Sequence, residues 1–278
     1  MRVVVCAIAK NENKYINEWA HHYFNLGFDH IYLYDNNFSK DPYVGDCFDV
    51  DIKNKITIFN VNNICGESIQ ERCYNNFYNT YKNDFDWCLF CDIDEFLDNT
   101  GEIHEFLSQE KFNKFNQIRI RWKLFGDDDL IERDESIPVY QFFKKPILDN
   151  EGYSTQGKAI LRGHIEDDYL NIWLHVAYSK KNTIITCLPS GKEYEKNSTN
   201  IRSLNNVYDY ENETVFINHY RTKTLKEFLE QKYGRTCCDT GGFVTLDMSY
   251  FFSMNKNTPE KQEYIKKWLQ KKIEERRK

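Results

Sequence analysis

Apolar residues enter this chain first as short unbroken runs and then as stripes at helical spacing, and the two kinds of segment alternate. Residues 2–9, with Val3-Val4-Val5-Cys6-Ala7-Ile8-Ala9, predict a strand apolar on both faces, as in the interior of a parallel sheet. From 12 to 26 the pattern changes: Tyr15, Ile16, Trp19, His22, Tyr23 and Leu26 recur at helical intervals, and Gly27 follows as a C-terminal cap. Residues 31–34 predict the second strand, ending in Asp35-Asn36-Asn37, and 56–59 the third. A helix over 67–82 leads to a fourth strand, 87–91, which ends in Asp92-Ile93-Asp94-Glu95-Phe96.

Strand, helix, strand, strand, helix, strand is the order of a nucleotide-binding α/β half, and open parallel sheets bind ligands beyond the carboxyl ends of their strands. Asp35, Asp92 and Asp94 fall at such ends. Downstream, 117–122, 139–143, 158–161, 171–178 and 214–220 predict strands with longer connections, hence a mixed sheet with an acceptor-side region. From 259 the chain predicts a helix with Tyr264, Ile265, Trp268, Leu269 and Ile273 on one stripe. The expected division is 1–125 as a nucleotide-binding half, 126–240 as a second half, and 241–278 as a helical tail.

Composition narrows the function. The net charge of −6 argues against nucleic acid as a partner. It is also uneven: residues 260–278 hold eight basic and four acidic groups, so the tail is +4 and the remainder −10. That tail either docks by its apolar stripe or lies on an anionic membrane surface. Nine cysteines without a regular framework suit a reducing compartment, and the amino-terminal apolar run is too brief for a membrane span, so a soluble cytoplasmic protein is expected. Cys88 and Cys91 face opposite sides of a strand and read as core residues; Cys237-Cys238 is uninformative.

Asp92-Ile93-Asp94 is the strongest local signal for chemistry. On an extended strand end the two carboxylates would share one side, with Ile93 in the core. Mn²⁺ or Mg²⁺ held by such a pair takes its other ligands from water and substrate phosphates, which suits a nucleotide diphosphate.

Several motifs in order resemble the glycosyltransferase family 92 and family 2-like enzymes. They are Ala7-Ile8-Ala9-Lys10-Asn11-Glu12 with Tyr15, Glu18 and Trp19; His22-Tyr23; the stretch from Gly27 to Asn36; Cys91-Asp92-Ile93-Asp94-Glu95-Phe96; Trp122-Lys123-Leu124-Phe125-Gly126; and Asn218-His219-Tyr220-Arg221-Thr222-Lys223-Thr224. The resemblance implies an α/β fold of the GT-A type and inverting, metal-dependent transfer of a hexose from a UDP-sugar, UDP-galactose first, to a hydroxyl of a surface or lipid-linked glycan. It implies donor contacts from Lys10, Glu12 and Asp35 to the uridine and ribose, with Ala7, Gln70, Asp92, Ile93, Arg221 and Lys223 also on the donor side. Asp94 would be the principal metal ligand, with Asp92 beside it or nearer the ribose and His219 completing the shell. Trp122, Phe125, Gly126 and His175 would face the acceptor.

After Gly126 the chain departs from that family with Asp127-Asp128-Asp129. Inverting transfer needs a carboxylate to take the acceptor proton, and Asp127 and Asp128 are the candidates; the other reading is a solvated acidic loop. Lys158 and Arg162 are weaker candidates for stabilising phosphate charge, and 235–242 for a loop closing over it. Two other functions stay open: a different metal-dependent nucleotidyl or phosphoryl transfer enzyme, and a non-catalytic carbohydrate-binding relative.

Overall fold

The amino-terminal apolar run becomes the strand around which the sheet is built. In the computed structural model, residues 1–38, 41–62, 68–98, 100–147, 156–193, 213–235 and 245–277 are described. The first elements are β1 (Val3–Ala9), α1 (Ile16–Asn25), β2 (His30–Asp35), β3 (Ile56–Asn60), α2 (Ile69–Tyr81), β4 (Trp87–Phe90), β5 (Glu95–Asp98), α3 (Ile103–Leu107) and β6 (Gln117–Leu124). There follow α4 (Val139–Phe142), β7 (Gly157–Arg162), β8 (Leu170–Ile172), β9 (Ala177–Ser179), β10 (Thr186–Cys187), β11 (Phe216–His219), α5 (Leu225–Gln231), α6 (Met248–Phe252) and α7 (Pro259–Arg277).

Contacts group the chain into two compact units, 1–124 with 148–219 and 125–147 with 220–278, whereas the sequence reading drew boundaries at 126 and 241. The first unit carries a mixed sheet in the order β3-β2-β1-β4-β7-β6-β11-β5, with β10 on β6. β3, β2, β1 and β4 are parallel, as the buried runs predict. β7 then runs antiparallel to both β4 and β6, and β11 lies parallel to β6 and antiparallel to β5. The mixed α/β class is therefore the expected one.

Both expected helices flank this sheet. α2 lays Tyr74, Phe77 and Tyr78 on the face formed by Val4, Cys6, Tyr32, Tyr34, Cys88 and Phe90. α1 buries Ile16, Trp19, Ala20 and Tyr23, and Cys91 meets the Tyr23 hydroxyl, so the two thiols do point to opposite sides. Gly27 stops α1 as predicted. Its φ of 93° lets the Gly27 amide reach the Phe24 carbonyl and the Phe28 amide the Tyr23 carbonyl, both within 3.1 Å.

Three expectations are corrected, two in the second half and one in the first. Residues 139–143 are not a strand: Pro138 caps a single turn, α4, and its carbonyl accepts from the Gln141 and Phe142 amides. Residues 171–178 are not one strand but the facing arms of the β8–β9 hairpin. Glu95-Phe96, read as the tail of strand four, opens a separate strand, because the Glu95 amide bonds back to the Asp92 carbonyl at 3.2 Å and turns the chain.

The second unit packs Leu225, Phe228 and Leu229 of α5 against Phe251 of α6 and Ile265 of α7. α5 starts with a reciprocal cap between Thr224 and Glu227, and Glu227 also pairs with Arg133, both side chains almost fully buried. The apolar stripe of α7 docks only in its first half: Ile265 is buried and Trp268 meets Tyr233 edge-on, while Leu269 and Ile273 are exposed. Among the described residues no helix is long and apolar enough to cross a membrane.

Gly157 is where β7 presses most closely on β6: a Cβ there would lie 1.9 Å from the Ile120 carbonyl oxygen and 2.8 Å from the Arg121 Cα. Gly157→Ala should cost about 1–3 kcal/mol by forcing these backbones apart. A urea midpoint that falls at constant slope checks this; an unchanged midpoint refutes it.

Candidate active site

The strand order decides which side chains meet. β1, β2 and β4 end on one side of the sheet at Ala9, Asp35 and Phe90, and β6 ends on that side at Leu124. The reversed strands bring their first residues to the same side: β7 delivers Lys158, and β5 delivers Glu95 directly opposite His219 of β11.

The acidic turn between β4 and β5 is gripped from two sides. From α1, the Trp19 indole N–H donates to the Asp92 carbonyl at 3.1 Å and the Tyr23 hydroxyl to the Glu95 carbonyl at 3.0 Å. From α2, Gln70 Nε2 donates to Asp92 Oδ1 at 2.6 Å, and Tyr74, one turn further on, donates to the Cys91 carbonyl at 3.1 Å. The stripes that dock these helices on the sheet also fix the turn.

This corrects the expected geometry of the Asp-x-Asp segment. Residues 92–94 form a turn rather than an extended end, and the two carboxylates have different partners. Asp92 Oδ2 accepts from Lys158 Nζ at 2.9 Å, and that ammonium also donates to the Leu174 carbonyl at 3.0 Å. Asp94 Oδ1 lies 3.4 Å from His219 Nε2. Ile93 is buried as expected, and so is Ala7, so either could offer a ligand only its backbone.

Glu95 sits beneath this turn with no exposure at all. Its Oε2 accepts from the Asp92 amide at 2.9 Å and lies 3.8 Å from Lys158 Nζ; its Oε1 lies 3.8 Å from His219 Nδ1. Burial raises the Glu95 carboxyl well above its ordinary value of 4.5; the Asp92 and Asp94 charges add to this and Lys158 opposes it. Glu95 was not singled out from the sequence, where it reads as one more acid after Asp94; only its pairing with His219 across the strands gives it a place.

Trp122 of β6 packs its ring 4.6 Å from His219 and 5.1 Å from His175, and its buried indole N–H has no hydrogen-bond partner. His175 Nδ1 lies 3.1 Å from the Gly157 carbonyl, which can only accept, so this nitrogen carries the proton. At the neighbouring strand ends, Asp35 is fully buried with Oδ1 accepting from the Asn37 amide at 3.0 Å and Oδ2 left without a partner. Asn37 ties this end to that of β1 through the Asn11 amide and the Asn13 side chain. Glu12 is buried in the same loop, and Lys10 lies over the Phe38 ring at 5.3 Å.

Other expected site residues lie in the second unit. Phe125 stacks on Tyr220, Gly126 packs against Asn255, and Arg221 lies over Tyr250. Lys223 is buried with φ 55°. Asp127 is buried, paired with Lys261, and accepts from the Asp129 amide at 3.0 Å. Asp128 is partly exposed at φ 51° and accepts a long bond of 3.4 Å from the Lys144 amide. Arg162 is structural: its guanidinium caps Trp87 and donates to the Phe112 and Phe115 carbonyls. Within the expected loop 235–242, residues 236–242 lie outside the described residues.

The donor set partly fits a divalent cation. Two ligands held at roughly 2.1 Å and at right angles on one ion lie about 3 Å apart, close to the separation of Asp94 Oδ1 and His219 Nε2. Asp92 is a third exposed, with a second lone pair on each oxygen, but it faces Lys158 and Gln70. Among the described residues, His21, Asp49 and Asp51 are the one trio whose ligand atoms all gather within 4.8 Å. They lie on the surface, where His21 already pairs with Asp49 at 2.8 Å.

No protein-family model matches the chain, and neither does any curated protein. Among solved structures, S. aureus TarS 1–349 in complex with UDP-GlcNAc aligns with 48% of this chain and 37% of its own, at 15% identity and a TM-score of 0.35. A second S. aureus TarS structure aligns over 45% and 22%, at 14% identity and a TM-score of 0.31. A putative glucose-1-phosphate thymidylyltransferase from Bacillus anthracis in complex with a sucrose aligns over 46% and 56%, at 10% identity and 0.29. The chain thus spans less than two thirds of each of these proteins, and likeness at such scores does not extend to substrate or chemistry.

Lys158 is the counter-charge of the site, with its ammonium almost fully buried. Lys158→Met should lower stability at neutral pH by about 3 kcal/mol, because Asp92 and Glu95 lose their cation. The folded-state value of Glu95 is already raised and would rise further, so its protonated form favours folding below 4.5 and that contribution is lost as the pH climbs through the folded value. The deficit relative to wild type should therefore narrow on acidification; urea melts showing a constant gap across that range would refute the assignment.

Proposed function

We propose that this chain is a glycosyltransferase of the GT-A type, drawing on a nucleotide-sugar donor. The observation that carries this reading is the gathering of Asp94, His219, Asp92, Lys158 and Glu95 at the carboxyl ends of the parallel strands of a mixed α/β sheet, next to the strand end that buries Asp35. In open sheets of this kind a nucleotide lies across the strand ends. Asp35, with one buried oxygen unsatisfied, suits a ribose hydroxyl or a base N–H. The resemblance of the motifs to the family 92 and family 2-like enzymes favours a UDP-hexose, with UDP-galactose first, and a glycan hydroxyl as acceptor.

Asp94 and His219 are the residues that would hold Mn²⁺ or Mg²⁺. Such an ion supplies charge neutralisation for the departing diphosphate. Lys158 holds one Asp92 oxygen and Gln70 the other, so the carboxylate needs little reorganisation when a ligand arrives. The indole N–H of Trp122, beside His219, is a donor suited to a sugar or phosphate oxygen. Asp127, which is paired with Lys261, and Asp128 are the two acidic candidates for the acceptor proton. Peripheral contact with an anionic membrane through the basic end of α7 belongs to the same proposal, with Leu269 and Ile273 as its exposed apolar positions.

A thermal-shift screen over UDP-sugars with and without Mn²⁺ tests this reading. At a ligand concentration of about 100 times Kd the stabilisation is about 2.7 kcal/mol, which for a domain of this size is a shift on the order of 5–10 °C. Asp94→Asn, which keeps the shape, should abolish the Mn²⁺-dependent part of that shift and of UDP release. The proposal fails if no UDP-sugar moves the transition under either condition. Pyrophosphate release from UTP and a sugar 1-phosphate would instead point to a nucleotidyltransferase.

A further inference from the structure

The two ring nitrogens of His219 face two different carboxylates, Nε2 towards Asp94 Oδ1 at 3.4 Å and Nδ1 towards Glu95 Oε1 at 3.8 Å. The arrangement comes from the backbone. β11 and β5 are antiparallel with His219 opposite Glu95, which puts both side chains on the same face of the sheet. Both partners are also held in place. Trp122 packs against the imidazole, and the second oxygen of Glu95 accepts from the Asp92 amide at 2.9 Å. Glu95 Oε1 is buried with no hydrogen-bond partner, and an acceptor in that position is satisfied only by a donor. Asp94 retains some exposure while Glu95 has none, so a cation reaching this histidine would meet Asp94.

We infer that Glu95 is a positioning residue that holds His219 in the Nδ1–H tautomer, so that Nε2 presents its lone pair beside Asp94 to a divalent cation. A histidine that ligates a metal generally donates its other N–H to a carboxylate or carbonyl, which fixes the ring and raises its basicity. The inference rests on the metal-site reading above, but it concerns a residue that reading does not use. It also assigns the turn a division of labour. Asp94 contacts the ion, Glu95 acts on it through His219, and Asp92 is held by Lys158.

The test is the tautomer itself, read from the imidazole ¹⁵N shifts of histidine-labelled full-length protein at pH 8 without nucleotide sugar. The chain has seven histidines, so the His219 signals are assigned by their loss in His219→Gln. The wild type should show a protonated Nδ1 and an unprotonated Nε2. Glu95→Gln, which preserves shape but can donate as well as accept, should remove that preference. Its Mn²⁺ affinity, measured by titration with the metal alone, should fall about 10- to 100-fold, and Glu95→Asp should recover part of the loss. A wild-type ring protonated at Nε2, a tautomer unchanged in Glu95→Gln, or an Mn²⁺ affinity equal in both proteins would overturn the inference. Because no sugar nucleotide is used, failure of the donor assignment leaves this result standing, and failure here leaves the donor screen standing.

Discussion

A fully buried carboxylate lies between an ammonium and an imidazole, and the rest of the site is organised around it. Glu95 in isolation would be costly inside the protein. It is tolerated because Lys158 lies within 3.8 Å, because the Asp92 amide donates to it, and because His219 stands across the strands. Two of these partners have a second task at the surface of the site: Lys158 holds the Asp92 carboxylate, and His219 reaches Asp94. The buried layer therefore fixes the orientation of the layer above it, which is the condition for a preorganised ligand site.

Reversal of two strands makes this possible. In a purely parallel sheet every strand would bring its last residue to the ligand side, and Lys158 and Glu95, at the beginnings of β7 and β5, would lie at the far edge. The antiparallel returns bring them to the same side as the ends of β4, β6 and β11. Gly157, without a side chain, lets β7 press closely on β6 at the residue just before Lys158, which pairs with Asp92 beyond the end of β4. The helices hold the same spot from either face: Trp19 and Tyr23 secure the backbone of the turn, and Gln70 its first carboxylate.

Much of the first unit was legible from local patterns. Unbroken apolar runs gave β1, β2 and β4, helical stripes gave α1 and α2, and Gly27 marked the end of α1 by the conformation only glycine adopts readily. Asp35, Asp92 and Asp94 stood out because polar residues after buried strands are conspicuous, and His219 because it lies within the Asn218-His219-Tyr220-Arg221 segment. The failures were of two kinds. Residues 139–143 read as a strand because a run that short does not separate strand from helix, and Pro138 tipped it to a helical turn. The pairing of Asp127 with Lys261, more than a hundred residues away, was not foreseen because an acidic run reveals nothing of its partners.

What the amino-acid sequence settled by itself is the alternation of buried strands with amphipathic helices, and the acidic residues that follow the strands, since both follow from periodicities of a few residues. What only the tertiary structure decided is which charges neutralise one another: Asp92 with Lys158, Asp94 with His219, and Glu95 beneath them all. Those pairings join strands far apart in the chain, and the energy that selects them arises only when folding brings the charges together and takes Lys158 and Glu95 out of water, a condition absent from any local stretch of the chain.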